Sequence, residues 1–262
     1  MKISVVIPVY NSEKIINKLI EELEVSLKNK KFEIILVNDF SEDNSWQVIK
    51  NICNLNKNIK GINLKKNFGQ HNAIMAGLHH ISGDIIITID DDLQHPPNSI
   101  LDLIDKIING YDLCYTKYLN RKHSLYKIIL SNLSNLISSL LINKDFSLYL
   151  SSFRCMNSNT KDELIKIQNP ILYIDSYLIK ISKKITSINI HHQERYLGKS
   201  NYSIKKLFLL WLYLVNQSNL KPLSFSSIIV LFLKIIMFPI LIYIKFKSFG
   251  KKQFEIEEKT FN

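Results

Sequence analysis

Apolar residues follow two rhythms along the first half of the chain. Residues 3–9, 32–37, 59–64, 85–89 and 111–115 form short apolar runs. Their length suits strands buried on both faces. Between them the spacing changes to three and four. Ile15, Ile16, Leu19, Ile20, Leu23 and Leu27 make one helical stripe within residues 12–28. Shorter helical patterns cover 44–53, 70–81 and 97–109. This alternation predicts an α/β fold with a mainly parallel sheet covered on both faces.

The second half is less regular. An amphipathic helix is expected over 124–142, a strand over 153–157, a helix over 160–167 and a strand over 185–190. A strongly apolar helix follows over 203–215, with Lys205 and Lys206 at its start. Residues 225–244 are long enough, as a helix of about 30 Å, to match the hydrocarbon thickness of a bilayer. Lys234 sits midway and opposes insertion by about 3 kcal/mol, which the surrounding Leu, Ile, Phe and Val residues outweigh. The competing reading of this segment is a buried core helix. Lys245, Lys247, Lys251 and Lys252 flank its far end, where a single crossing would place them outside, against the positive-inside tendency. Pro239 offers a break. The expectation is a re-entrant or interfacial hairpin with both ends cytoplasmic. The chain thus divides into a catalytic domain at 1–202, a juxtamembrane amphipathic helix at 203–222, a membrane-associated segment at 223–247 and a basic and acidic tail at 248–262.

In a parallel sheet, ligands bind beyond the carboxyl ends of the strands. Polar clusters fall at those ends: Tyr10 and Asn11, Asp39 and Ser41, Asn67 to Gln70, and Asp90 to Gln94. Four loops should therefore converge on one site. The run DDDLQHPP at 90–97 carries the sharpest chemistry. Three adjacent carboxylates after an apolar strand repel one another and need a compensating charge. A divalent cation bridging a diphosphate supplies it, and the hard oxygen ligands suit Mg²⁺ or Mn²⁺. Strand pleating assigns Asp90, Asp92 and Gln94 to the metal, and Asp91 to the donor sugar or ribose. His95 is a further ligand or a loop-shaping residue. His191 and His192 face opposite ways on a strand and would not share an ion, and His79 and His80 read as surface residues.

Charge and composition narrow the picture. Lys and Arg number 34 against 23 Asp and Glu, a net charge of +11 over 262 residues, which calls for an anionic partner. Nucleic acid is set aside because no aromatic and basic groove or recognition helix stands out, and many lysines lie near 225–244. Cys53, Cys114 and Cys155 form no pair, consistent with a reducing compartment. The first ten residues do not read as a signal peptide, since Pro8 interrupts a short apolar run. The catalytic part is expected at the cytoplasmic face of the cell membrane.

The stretches SVVIPVYNSE, EIILVNDFSEDNSW, NFGQHNAIMAG, DDDLQHPP, SSFRCM and RYLGKSNY occur in order between residues 3 and 202. In these the chain resembles family-2 glycosyltransferases of GT-A fold, in the branch of dolichyl-phosphate mannose synthases and undecaprenyl-phosphate sugar transferases. The resemblance implies that Pro8, Tyr10, Asn11 and Glu13 line a nucleotide pocket, with Ser41 beside them. Asp39 would accept an N–H of uracil or guanine. Asn67 and Gln70 would support the base-binding loop, Gln70 alternatively capping a helix. Where the family has a second acid and a glycine, this chain has Asn38 and Phe40. Arg195, Gly198, Lys199 and Ser200 form a basic loop suited to phosphate. Arg121, with Lys117 and Lys122 nearby, makes a second basic cluster. Asp175 falls where a catalytic carboxylate is expected, its alternative being a helix N-cap. The implied reaction is inverting, metal-dependent transfer of a sugar from a UDP- or GDP-linked donor to polyprenyl phosphate. Transfer to a hydroxyl of a lipid-linked or surface polysaccharide, and a non-catalytic nucleotide-binding membrane adaptor, are the alternatives.

Overall fold

The computed structural model describes residues 1–119, 144–170, 172–191 and 250–261, with isolated positions at 135, 139, 239, 240, 242, 243 and 248. Its strands are β1 (Lys2–Val9), β2 (Lys31–Asn38), β3 (Ile59–Leu64), β4 (Ile85–Thr88), β5 (Leu113–Leu119), β6 (Arg154–Asn157), β7 (Ile185–His191) and β8 (Ile256–Lys259). They form one sheet in the order β7-β5-β6-β4-β1-β2-β3-β8. Pairing is parallel except where β6 runs against β4 and β5, and β8 against β3. The sheet is therefore mainly parallel, as the apolar runs imply.

The helices are α1 (Ile16–Ser26), α2 (Ser45–Leu55), α3 (Gln70–Leu78), α4 (Ile100–Ile108, after a 3₁₀ turn at Pro97–Ser99), α5 (Ser158–Ile165) and α6 (Ile174–Ile181). Alternation along β1 sorts the core into two layers. Ile3, Val5, Ile7 and Val9 pack with Ile16, Leu19 and Leu23 of α1, Ile49 of α2 and Leu103 of α4. On the other face, Val6, Ile35 and Val37 meet Ala73, Ile74 and Met75 of α3, Leu164 of α5 and Leu178 of α6. The stripe read at three and four spacing is thus the buried face of α1. Helix α3 lies so close to β1 that a Cβ on Gly77 would come within 2.4 Å of Val6 Cγ1. That approach fixes where the first turn of α3 meets the strand ends.

At the opposite end of the sheet, Glu33 of β2 is almost fully buried. It accepts from Ser4 Oγ at 2.7 Å, from Ser82 N at 2.7 Å and from Lys60 Nζ at 3.2 Å, and pairs with Lys2. Burial alone would raise its pKa, but these donors outweigh it and hold the carboxyl at about 2. The folded pKa lies below the unfolded one, so this contribution is complete above pH 4.5. It is lost as pH falls from there toward 2. Glu33→Gln is expected to remove stability on the order of 2–3 kcal/mol at pH 7 and almost none near pH 2. Urea melts at the two pH values check this; an equal loss at both would show that packing, not charge, is at stake.

One expectation needs correction. Residues 248–262 were expected as a tail outside the domain, yet β8 closes the free edge of β3. Trp46 Nε1 donates to Glu258 at 2.7 Å, Asn63 Nδ2 to Glu257 at 3.0 Å and Gly61 N to Thr260 Oγ1 at 2.8 Å. Helix α6 is foreshadowed only by the alternative reading of Asp175 as a helix N-cap. The helices expected over 124–142, 203–215 and 225–244 lie outside the described residues, isolated positions aside. Among the described residues no helix is long and apolar enough to cross a membrane.

Candidate active site

Strand order reverses at β1, with β2 and β3 on one side and β4 on the other. This is the switch point at which doubly wound sheets form their crevices. Pro8 lies buried near the end of β1, opposite Val37. Its missing N–H faces the β4 side beyond the last β4 pairing at Val6, so no ladder bond is lost. Tyr10 follows and is 41% exposed, an aromatic face at the mouth.

The loops after β1 and β2 are zipped together. Asn11 N donates to Ser41 Oγ at 3.0 Å and Glu42 N to Asn11 Oδ1 at 2.8 Å. Glu13 N donates to Asp43 at 3.1 Å, and Asn44 N returns a bond to Glu13 at 3.0 Å. Glu13 and Asn11 thus set loop geometry. Asn38 accounts for its own departure from the family acid: Nδ2 donates to Asn63 Oδ1 at 2.7 Å while Oδ1 accepts from Ser41 Oγ. A carboxylate could accept but not donate. Phe40 keeps the left-handed conformation that a glycine would adopt freely, at φ 59°, and Asn11 (54°) and Leu93 (57°) share it. All three lie in loops at the carboxyl ends of β1, β2 and β4, a grouping of strained backbone typical of functional sites.

Asp39 is 4% exposed and grips the loop before α3. Its two oxygens accept from Phe68 N at 2.7 Å and Gly69 N at 2.9 Å, and Asn67 Nδ2 donates to its backbone oxygen at 3.2 Å. Burial raises its pKa against those bonds. Asp39 and Asn67 therefore brace the loop directly. Gly69, at φ 86°, occupies the N-cap position, so Gln70 does not cap the helix. Gln70 Nε2 instead donates to Asp90 Oδ1 at 2.5 Å.

The acidic turn begins after β4 has ended at Thr88, so pleat alternation does not extend through it. The carboxylates separate sideways, toward the two neighbours of β4. Asp91 reaches the β1 loop, accepting from Tyr10 N at 3.0 Å and Ser12 Oγ at 2.6 Å. Asp90 reaches α3 and the β6 side, accepting from Ser152 Oγ at 2.5 Å, with His95 Nε2 3.5 Å away. Asp92 accepts from Gln94 N at 3.1 Å. Burial, joined by repulsion from Asp90 and Asp92, outweighs the bonds to Ser12 and Tyr10 and pushes Asp91 up to about 7. Asp90 is held below the ordinary carboxylate range: burial opposes ionisation, but His95, Ser152 and Arg154 overcome it. Among the described residues no three His, Cys, Asp or Glu side chains converge as a ready-made metal cage. Magnesium-type sites are commonly built from one or two carboxylates plus substrate phosphates, and the crowded negative charge of this turn fits that pattern.

Asp175 is buried in the first turn of α6; Tyr173 holds the N-cap position, so capping is not the role of Asp175. Its carboxylate is ion-paired with Arg154 of β6 and accepts from Tyr115 OH at 2.9 Å. Arg154 also donates from Nε to Thr88 Oγ1 at 3.1 Å, tying β4, β6 and α6 into one network beneath the acidic turn. Arg154, Ser152, Tyr115 and His95 carry this arrangement, and the sequence reading gave none of the first three a role. One signal was available: Arg154 stands between Phe153 and Cys155 in an apolar strand, and a charge buried there demands a partner. His95 is buried, stacked on Tyr118 with its Nδ1 2.7 Å from Tyr118 OH. His79 is exposed, as expected, with its ring near Phe254, whereas His80 is partly covered by Phe261. Arg121, Lys122, His192, Arg195, Gly198, Lys199 and Ser200 lie outside the described residues.

A family model described as Glycosyl transferase family 2 matches residues 4–181. The chain is 34% identical over 231 residues to the undecaprenyl-phosphate 4-deoxy-4-formamido-L-arabinose transferase of Yersinia pestis (strain Pestoides F), covering 87% of this chain and 71% of that one. The protein of that description from Yersinia enterocolitica serotype O:8 matches at the same identity and coverage. Among solved structures, glucosyl-3-phosphoglycerate synthase of Mycobacterium tuberculosis, in complex with Mn²⁺, UDP-glucose and phosphoglyceric acid, superposes with a TM-score of 0.61 at 17% identity. It covers 82% of this chain and 79% of its own. TarS of S. aureus superposes at 0.56 with 19% identity, covering 84% of this chain and 41% of its own.

Proposed function

Since the chain belongs to glycosyl transferase family 2, we propose that it moves a sugar from a nucleotide-linked donor to polyprenyl phosphate at the cytoplasmic face of a membrane. The observation that carries this reading is the acidic turn at the β1–β4 switch point, braced on one side by the β1 loop and on the other by α3. A nucleoside diphosphate lies across that point with its base toward Tyr10 and the Asp39 loop and its diphosphate toward Asp90–Asp92. Mg²⁺ or Mn²⁺, held by Asp90 and Asp92 with Gln94 nearby, would supply positive charge to the leaving diphosphate. The acceptor oxygen attacks the anomeric carbon, the bond to the diphosphate oxygen breaks with its electron pair, and the anomeric configuration inverts.

The state of Asp175 favours a phosphate acceptor. A hydroxyl acceptor needs a general base within reach, and the Asp175 carboxylate is already engaged by Arg154 and by Tyr115 OH. A phosphate arrives already ionised. The polyprenyl acceptor is also that of the Yersinia relatives by their description.

Membranes containing the protein are expected to pass radiolabel from a UDP- or GDP-sugar, with Mn²⁺ present, into an organic-phase lipid released by mild acid. No lipid label, with nucleotide release only on adding a saccharide, would replace this reading with transfer to a hydroxyl.

A further inference from the structure

Adjacent residues in the first turn of α3 each carry a buried polar atom without a partner, His71 Nδ1 and Asn72 Oδ1. Folds retain few such atoms unless a ligand or water completes the bond. His80, on the same helix, shows the ordinary solution: its Nδ1 lies 2.9 Å from Ala76 O.

The neighbours of His71 link it to the acidic turn and to α6. Its neighbour Gln70 holds Asp90. Asn72 Nδ2 donates to Phe68 O at 2.9 Å and to Pro170 O at 3.2 Å, tying α3 to the segment that leads into α6. The His71 ring meets Tyr173 of that segment edge-on, with centroids 5.0 Å apart. Asp175, Arg154 and Asp90 all lie near enough to act on its protonation. His71 is therefore close to both the acidic turn and the Asp175–Arg154 pair. On the nucleotide-sugar reading, the sugar in transit would sit beside the diphosphate and face the incoming oxygen, close to these same groups. Burial, the largest influence, drives the imidazole pKa down to about 4. At neutral pH the ring offers one N–H and one lone pair, which suits a neutral hydroxyl rather than a phosphate.

We propose that His71 Nδ1 hydrogen-bonds a hydroxyl of the transferred sugar and so helps determine which donor is accepted. This rests on the nucleotide-sugar reading above. His71→Phe keeps an aromatic ring against Tyr173 and removes both ring nitrogens; His71→Gln keeps a polar group. The full chain with Mn²⁺ would be titrated with UDP, GDP, UDP-glucose, UDP-N-acetylglucosamine and GDP-mannose. The wild type is expected to bind at least one sugar conjugate more tightly than its bare diphosphate. His71→Phe should weaken that conjugate roughly fivefold to tenfold, a single hydrogen bond's worth. It should leave the bare diphosphate within about twofold, and His71→Gln should recover part of the loss. Equal losses for conjugate and diphosphate would mark His71 as a loop support. No loss for either, or no wild-type preference for any conjugate, would also overturn the assignment. A wild type that binds neither UDP nor GDP would instead bring down the donor reading itself.

Discussion

Asp92→Asn is expected to slow sugar transfer roughly 10²–10³-fold, the usual effect of losing one group that stabilises transition-state charge. The substitution is nearly isosteric, and its amide oxygen can still accept the bond from Gln94 N. Folding should therefore be preserved, with a thermal midpoint close to that of the wild type. What disappears is one of the negative charges that a cation would balance. Initial rates measured across a Mn²⁺ titration separate the causes: a weaker requirement met at higher Mn²⁺ indicates lost affinity, and a lower plateau indicates lost charge stabilisation. Full activity at ordinary Mn²⁺ would remove Asp92 from the metal-holding set.

Arg154→Leu should have the largest effect on stability, about 3–5 kcal/mol, because it strands a buried carboxylate. Arg154 is 1% exposed and Asp175 5%, so water cannot replace the lost partner without opening the core between β6 and α6. The double variant Arg154→Leu with Asp175→Leu should recover much of the loss, since two apolar side chains of similar bulk remove both charges. Chemical denaturation of the three proteins gives the coupling directly. A single variant within about 1 kcal/mol of the wild type would mean that the pair is open to water and that Asp175 is available to act as a base.

Much of the fold is legible before any coordinates, because the apolar runs of β1 to β4 are local and continuous. The site could be located from them too, since four polar clusters follow four strands. What failed was finer than topology. Asp90 to Asp92 were sorted by pleating, but β4 stops at Thr88 and a turn sorts them by neighbouring strand instead. Pro8, expected at the nucleotide, is enclosed in a strand, and Glu13 accepts a bond from Asn44 N; neither placement is written in the sequence. Helix α6 is too short for its periodicity to stand out from a strand or loop. Strand β8 reads Ile-Glu-Glu-Lys, with no apolar alternation, and its partners Trp46, Asn63 and Lys65 lie about two hundred residues earlier. Pairing at that separation leaves no local mark. His71 was hidden by the same logic, since nothing in Gln-His-Asn says that one ring nitrogen will be enclosed without a partner.

The antiparallel seam between β3 and β8 ties the last described residues to the sheet that holds β7. Ile256 to Lys259 lie at one edge of that sheet and Ile185 to His191 at the other. Both strands therefore belong to one rigid layer and must lie on the same side of any membrane the protein meets.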